Sequence, residues 1–330
     1  KGIHTQTDLA QAMNITKNQL SVLLSDSYNP IKSSVEKLCT TLDILPEDIM
    51  SSSPHHDKAK PSITPGEVTA IELFAGAGGL ALGLEQAGIH TLEYVEIDKF
   101  SCETLKKNRP NWNVVCDDIH NVDFTEDKGR TLETILSVLR GLGYSVQYKV
   151  LNAAYFGVGQ KRERIVIVGI KNGADIHFTY PTPDEHMTTL REALKDCPKS
   201  EGQQYSEKKR YYLEKVPAGG CWVDLPEEDQ KVYMGKSYYS GGGKRGMARR
   251  ISWDEPCLTL TCSPSQKQTE RCHPDETRPF TVREYARIQS FPDSWEFSGG
   301  IGEKYKQIGN AVPVELARRI GLELIKSING

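Results

Sequence analysis

Apolar and polar positions along the chain change period several times, and each change marks an element. Residues 68–73 form a short, mostly apolar run of strand type, and the small-residue turn of residues 75–79 follows at once. Residues 80–88 then space their apolar positions as a helix closed by a glycine. Residues 91–98 and 113–119 read as a second and a third strand, each ending on carboxylates. Residues 131–141 place Leu132, Ile135, Leu136 and Leu139 on one helical face, and residues 144–152 alternate as a strand. The unbroken apolar run of residues 165–169 predicts a buried strand, residues 258–262 a further strand, and residues 314–325 a helix.

The start of the chain differs. Residues 7–14 carry a helical pattern at Leu9, Ala10 and Met13, and residues 15–25 begin a second helix with Thr16 as its N-cap. Residues 35–44 predict a third amphipathic helix and residues 46–49 a short fourth. From Ser51 the chain turns polar and loses its period, so residues 51–66 read as a linker in which His55 and His56 are solvated.

Composition narrows the picture only slightly. With 330 residues, 38% of them hydrophobic and 26% charged, there is room for two domains and a small third. A net charge of −3 does not announce a nucleic-acid binder, so any DNA contact has to come from a local patch. The eight cysteines include no Cys-x-x-Cys pair, which argues against a zinc ribbon or a disulfide framework. Cys272 and His273 have no second pair nearby, so no metal is expected. No apolar run is long enough to span a membrane, and a reducing cytoplasm is the default expectation.

A strand, a glycine turn and a helix make the first half of a nucleotide-binding unit, because glycines let the backbone approach a ligand that the helix N-terminus faces. The second strand delivers Glu96 and Asp98 about twenty residues later, where a ribose-binding acid is expected. The turn lacks the Gly-x-Gly-x-x-Gly spacing that a pyrophosphate requires. Phe74-Ala-Gly-Ala-Gly-Gly79, Glu96-Ile-Asp-Lys99 and Asp117-Asp-Ile119 together resemble the S-adenosylmethionine (AdoMet) half of the DNA cytosine-C5 methyltransferases. The resemblance implies a Rossmann-like α/β methyltransferase sheet with an inserted target-recognition domain. It further implies that Phe74, Ala75, Gly76, Gly78, Gly79, Glu96, Ile97, Asp118 and Ile119 bind AdoMet.

Later segments continue the likeness. Gln160-Lys-Arg162-Glu-Arg164 ahead of an apolar strand is similar to the family's Gln-x-Arg-x-Arg mark, which implies that Gln160 faces DNA and that Arg162 and Arg164 serve catalysis, Arg164 nearest the base. Residues 281–293 resemble the family's helix and Pro-Asp turn. Gln307-Ile-Gly-Asn310-Ala-Val312 resembles the family's Gln-x-Gly-Asn-x-Val, so Asn310 and Val312 are expected to close over the methionine end of AdoMet. Residues 231–250 hold no acid and alternate bases with tyrosines and glycines, as a segment must that neutralises phosphates and offers Arg or Lys to guanine edges. Lys236, Tyr238, Lys244, Arg245, Arg249 and Arg250 are the DNA contacts expected there. The N-terminal helices are similar to the helix-turn-helix of small phage-type repressors, with Lys17, Asn18, Gln19 and Ser21 on the exposed recognition face.

The family's Pro-Cys dipeptide, which carries the nucleophile, and its Glu-Asn-Val, whose Glu contacts cytosine, occur nowhere at the expected place. By the family pattern, several tens of residues are absent near Asp127 and Lys128. The Pro256-Cys257 pair sits in a different family segment, and Cys257 is not taken as the nucleophile. The absent residues belong to the protein but not to this sequence, or come from a second chain, or are lost.

The expected layout is a helix-turn-helix domain (1–50), a linker (51–66), a catalytic domain (67–180), a target-recognition domain (181–300) and a returning helix (301–330). The activity expected is AdoMet-dependent methylation of C5 of a flipped cytosine in duplex DNA. It would protect that DNA from a partner restriction endonuclease, and the N-terminal domain could bind promoter DNA. The alternative is an inactive or split methyltransferase-fold regulator that reads DNA through its helix-turn-helix.

Overall fold

The computed structural model describes residues 5–13, 15, 16, 20, 68–117, 130–239 and 246–329. The chain divides into two units, residues 1–63 with 118–124, and the remainder. In the first, α1 (Gln6–Ala12) opens on Thr5, whose hydroxyl accepts from the Asp8 amide while the Asp8 carboxylate accepts from the Thr5 amide. This reciprocal cap satisfies two amide donors at the helix start. Ala10, Met13 and Leu20 are buried together. The expected recognition residues Lys17, Asn18, Gln19 and Ser21 lie outside the described residues, as does the junction near Asp127.

The second unit starts with β1 (Thr69–Leu73), α2 (Gly79–Ala87), β2 (His90–Glu96), α3 (Lys99–Asn108) and β3 (Val114–Cys116). The three strands are parallel in the order β1-β2-β3, as two successive βα units joined by helical crossovers produce. Each helix has a local reason for its ends. Gly88 stands at φ 92° and closes α2 with its amide on the Leu84 and Glu85 carbonyls, a conformation that suits only glycine. Asp98 caps α3 by accepting from the Ser101 amide, and Lys106 and Lys107 sit in its last turn, where the helix dipole favours cations.

Beyond the junction come α4 (Arg130–Gly141), β4 (Tyr144–Asn152), β5 (Gln160–Lys161) and β6 (Glu163–Lys171). β4 and β6 form an antiparallel pair from Tyr144↔Lys171 to Asn152↔Glu163. The short helices α5 (Leu190–Ala193), α6 (Glu207–Leu213) and α7 (Glu227–Met234) follow. After them come β7 (Cys257–Leu258), parallel to β5, then α8 (Val282–Ile288), α9 (Ile301–Asn310) and α10 (Val314–Asn329).

The largest core joins Ala77, Leu82, Tyr94 and Leu105 to Leu190, Ile251, Phe280, Tyr285, Trp295, Tyr305 and Ile308. Segments expected to belong to the recognition domain therefore share a core with the glycine turn. A separate small core, built from residues such as Tyr205, Leu213, Val216, Met234, Met247 and Cys272, lies within residues 205–272. α10 touches both halves of the unit. Its Leu316 and Ile320 pack with Leu151, Phe156 and Val158 beneath β4. Its other side meets α2 so closely that a Cβ on Gly83 would lie 2.4 Å from that of Ala317.

Two strand expectations need correction. The run 165–169 is a strand but not a buried one: Ile165 is 50% exposed and Val166, Ile167 and Val168 are only half-buried. Among the described residues β6 pairs with β4 alone, so part of its surface has nothing to pack against. The strand expected at 258–262 shrinks to Cys257–Leu258, because the chain beyond it is held by side chains instead of a ladder: the Leu260 amide donates to Gln160 Oε1 at 3.0 Å.

Candidate active site

The turn between β1 and α2 is tied on three sides. The Ala75 amide donates to the Val95 carbonyl (3.1 Å), which brings residues 74–76 beside the end of β2. Glu96 then takes the Gly76 amide on Oε2 and the Asp98 amide on Oε1, both at 2.7 Å. From the other side the Trp295 indole N–H donates to the Ala77 carbonyl (3.1 Å), and its ring leaves no room for a side chain on Gly78. Glu96 is nearly buried, yet each oxygen keeps a lone pair that these bonds do not use.

Two large apolar side chains stand exposed at this mouth, Phe74 (66%) and Ile97 (60%). Phe74 also has φ 59°, a left-handed backbone that costs a bulky residue roughly 1–3 kcal/mol. Apolar side chains facing water beside a nearly buried carboxylate suit a ligand with an aromatic ring and hydroxyl groups.

The end of α9 closes the arrangement. A Cβ on Gly79 would lie 2.1 Å from the Val312 carbonyl oxygen, so the chain after α9 runs directly over the first turn of α2. Asn310 is exposed there, with its Oδ1 accepting from the Cys262 thiol at 3.0 Å. Against the upward push of burial, the bonds from Ser101, joined by Lys306 of α9 at 3.2 Å, hold the Asp98 carboxyl below its usual range. The structure thus brings Phe74, Ala75, Gly76, Gly78, Gly79, Glu96, Ile97, Asn310 and Val312 to one place. Asp118 and Ile119 lie outside the described residues.

Several other expected residues do different work. Arg162 is 3% exposed, and its guanidinium donates to the Leu260 carbonyl (3.3 Å) and the Gly309 carbonyl (3.0 Å). Burial, with Arg164 nearby, pushes its pKa down to about 10. It fastens the chain after β7 to the end of α9, and its Nε, which bonds nothing, is buried away from the surface. Gln160 is fully buried on the Leu260 amide, so it does not face DNA. Arg164 alone of the three is exposed, with one donor on the Glu163 carbonyl at 2.6 Å.

The basic segment is corrected in the same way. Arg250 is buried, and its guanidinium is spent on the Leu213, Val216, His273, Pro274 and Glu276 carbonyls and on the Thr277 hydroxyl. Arg249 bonds the Gly219 carbonyl and Glu255. The Arg250 guanidinium is not available to a phosphate, and both side chains hold the small core's loops together. Tyr238 is half-buried against Trp222, Lys236 is exposed, and Lys244 and Arg245 lie outside the described residues. The exposed aromatic here is Tyr239, at 80%.

Two residues escaped the sequence reading, and a third was weighed only as a metal ligand. Trp295 supports the glycine turn. Glu72, in the middle of β1, is 3% exposed with both carboxyl oxygens unbonded. Burial pushes its pKa up to about 8, the nearby Ala81 amide pulling the other way without closing a hydrogen bond. The third is His273, which lines a cleft of about 490 Å³ together with Cys197, Trp253 and Glu284. Burial lowers its pKa, and its Nδ1 accepts from the Asp275 and Glu276 amides. A tryptophan or a carboxylate within an apolar run was the sole signal of the first two.

Cys257 is fully buried, and its thiol is pushed up to about 12 by burial, so it holds a proton that a nucleophile must shed. Among the described residues, no helix is long and apolar enough to cross a membrane.

Comparison with known proteins matches this geometry. The family model of C-5 cytosine-specific DNA methylases fits residues 68–126 and 124–326, and that of Cro/C1-type helix-turn-helix DNA-binding domains fits residues 1–54. A type II methyltransferase of Staphylococcus aureus, M.Sau96I, is 46% identical over 413 aligned positions, covering 100% of this chain and 96% of its own. M.Eco47II of Escherichia coli is 47% identical, with 78% of each chain covered. A candidate DNA modification methyltransferase encoded within an E. coli prophage has a similar fold, with TM-score 0.58 and 19% identity over 80% of this chain and all of its own. The two family matches meet at residues 124–126. The chain belongs to the C-5 cytosine-specific DNA methylase family and carries a Cro/C1-type helix-turn-helix domain at its start.

Proposed function

We propose that this chain is the AdoMet-binding and DNA-recognising body of a DNA (cytosine-5) methyltransferase, whose nucleophile lies in a segment of the protein outside the residues of this sequence. The observation that carries this reading is the convergence of the glycine turn, Glu96 and the Asn310–Val312 stretch on one site. The residues present fit AdoMet. Glu96 can take ribose hydroxyls on its free lone pairs, Phe74 and Ile97 offer apolar surface to adenine, and Asn310 offers an amide to the amino-acid end. When bound, AdoMet supplies an electrophilic methyl group.

The chain's own residues would then do the positioning. Glu96 orients the ribose while holding the turn shut through the Gly76 amide. The Cys262 thiol sets the Asn310 side chain. Arg164, exposed at the start of β6, is placed to hold a cytosine flipped out of duplex DNA. Cytosine C5 is a poor nucleophile until a thiolate adds to the ring. The buried Cys257 cannot serve, which is why the reading assigns that group to another segment. The relatives' type II methyltransferase character supports protection of DNA from a partner restriction endonuclease, in the bacterial cytoplasm. The N-terminal domain supports a second contact, with promoter DNA.

Calorimetric titration of AdoMet into the purified chain tests the cofactor site. Saturable binding that is weakened at least tenfold by Asn310→Asp and by Glu96→Ala is expected. A pure DNA-binding regulator would take up no AdoMet, and it would transfer no tritium from labelled AdoMet to duplex DNA.

A further inference from the structure

Resting on the reading above, we propose that residues 263–269 read the base pairs beside the target cytosine, with Gln266 and Gln268 as the side chains that tell one base from another. The segment runs from the cofactor mouth to the small core. At its start the Cys262 thiol donates to Asn310 at 3.0 Å, and a Cβ on Gly309 would lie 2.6 Å from the Thr261 carbonyl. Just past its end, the fully buried Glu270 accepts from the Tyr233 hydroxyl and from the Ala248 amide (2.8 Å), and pairs with Lys209 at 2.6 Å.

Between these anchors the loop is held on several sides. The Thr261 and Thr269 hydroxyls meet across its neck at 3.2 Å, and the Thr269 amide closes a turn on the Gln266 carbonyl. Lys209 donates to the Ser265 carbonyl (2.7 Å), and the Ser265 hydroxyl donates to Gln203 Oε1 (2.9 Å). The Lys267 ammonium is drawn back onto the Tyr233 carbonyl at 2.6 Å and lies 5.1 Å from the centre of that ring. Gln266 and Gln268, on either side of it, are exposed, and among the described residues neither side-chain amide has a hydrogen bond.

A loop already fixed loses little freedom on binding, so its contacts can be spent on discrimination. A glutamine amide carries no charge to draw it to phosphates. Its paired donor and acceptor match the N6 and N7 edge of adenine, and its donor suits the acceptors of guanine. Position decides which bases are in reach. The loop's root is one hydrogen bond from Asn310, and the base to be methylated must come to the cofactor that Asn310 faces. The loop also lies against the basic segment, since a Cβ on Gly246 would be 3.0 Å from the Gln268 carbonyl oxygen.

The test gives the full-length protein, Gln266→Ala and Gln268→Ala a pool of duplexes randomised around cytosine, with AdoMet, and maps the methylated sites by bisulfite sequencing. Each variant is expected to lose roughly tenfold or more of the discrimination at a base position beside the methylated cytosine and to keep it elsewhere. Melting temperature and AdoMet affinity should match those of the unaltered protein. Unchanged base preference at every position in both variants would overturn the proposal, as would a slower reaction with the same preferences. Should the unaltered protein methylate nothing, the proposed activity falls, and duplexes selected from the same pool by binding alone decide the loop's role. Preferences lost in the variants would then support it, and preferences kept would overturn it.

Discussion

Gly79 has no room for a side chain, and the atom that excludes one is the Val312 carbonyl oxygen, which cannot rotate away. Gly79→Ala is therefore expected to push the end of α9 off α2, costing about 1–3 kcal/mol of stability as overpacking does. AdoMet affinity, read by calorimetry, should fall with it. Glu72 makes a different prediction. Unfolded, it binds its proton near pH 4.5; folded, near pH 8. Between those values the folded chain holds the extra proton, so stability falls by about 1.4 kcal/mol per unit as pH rises. The loss is complete above the folded value, and below pH 4.5 the stability is fully present. Glu72→Gln should flatten that slope in urea titrations run from pH 5 to 8, and an unchanged slope would place the proton elsewhere. The glycines and Glu96 were legible in the sequence because a turn spacing and a strand end fix them. Glu72 was not, since nothing in an apolar run announces a carboxyl left without a partner.

Arg162 and Arg164 are two residues apart, and the elements around them decide which is structural. Arg162 points inward and joins the segment after β7 to α9, while Arg164 stays at the surface. Arg162→Met leaves the Leu260 and Gly309 carbonyls without their donor, at about 1–3 kcal/mol for each buried group left unpaired. A lowered melting temperature is expected for Arg162→Met. Arg164→Ala should leave melting unchanged and reduce methyl transfer to duplex DNA by the full protein. Equal melting of the two variants would refute this division. The Gln-x-Arg-x-Arg spacing located these residues but could not say which face each takes, because that depends on α9, far along the chain. Arg250 was misread for the same reason. A basic run looks like a phosphate site until the carbonyls that consume its donors are known. The run 165–169 was right as a strand and wrong in its burial, since burial depends on neighbours a single segment cannot name.

Across the whole molecule, the helix-turn-helix unit and the methyltransferase unit each have a core of their own. Removing residues 1–66 should leave AdoMet binding intact and abolish binding to a promoter-like duplex in gel-shift experiments. Loss of AdoMet binding instead would make the first unit a structural support. The strand, turn and helix of the first βα unit were legible from the change of period along the chain, while the sheet's class came from the family resemblance. The route of the last helix was legible only through its sequence likeness, because packing against both ends of the chain's second unit leaves no local trace.

That last helix has a consequence for how the protein is made. α10 joins α2, near the start of the unit, to the layer under β4, and it follows every other described element in chain order. A ribosome releasing the chain from its N-terminal side lets early parts fold first. The helix-turn-helix could thus be reading DNA while the two halves of the methyltransferase unit still wait for their fastening, so binding would precede competence to modify in each newly made molecule.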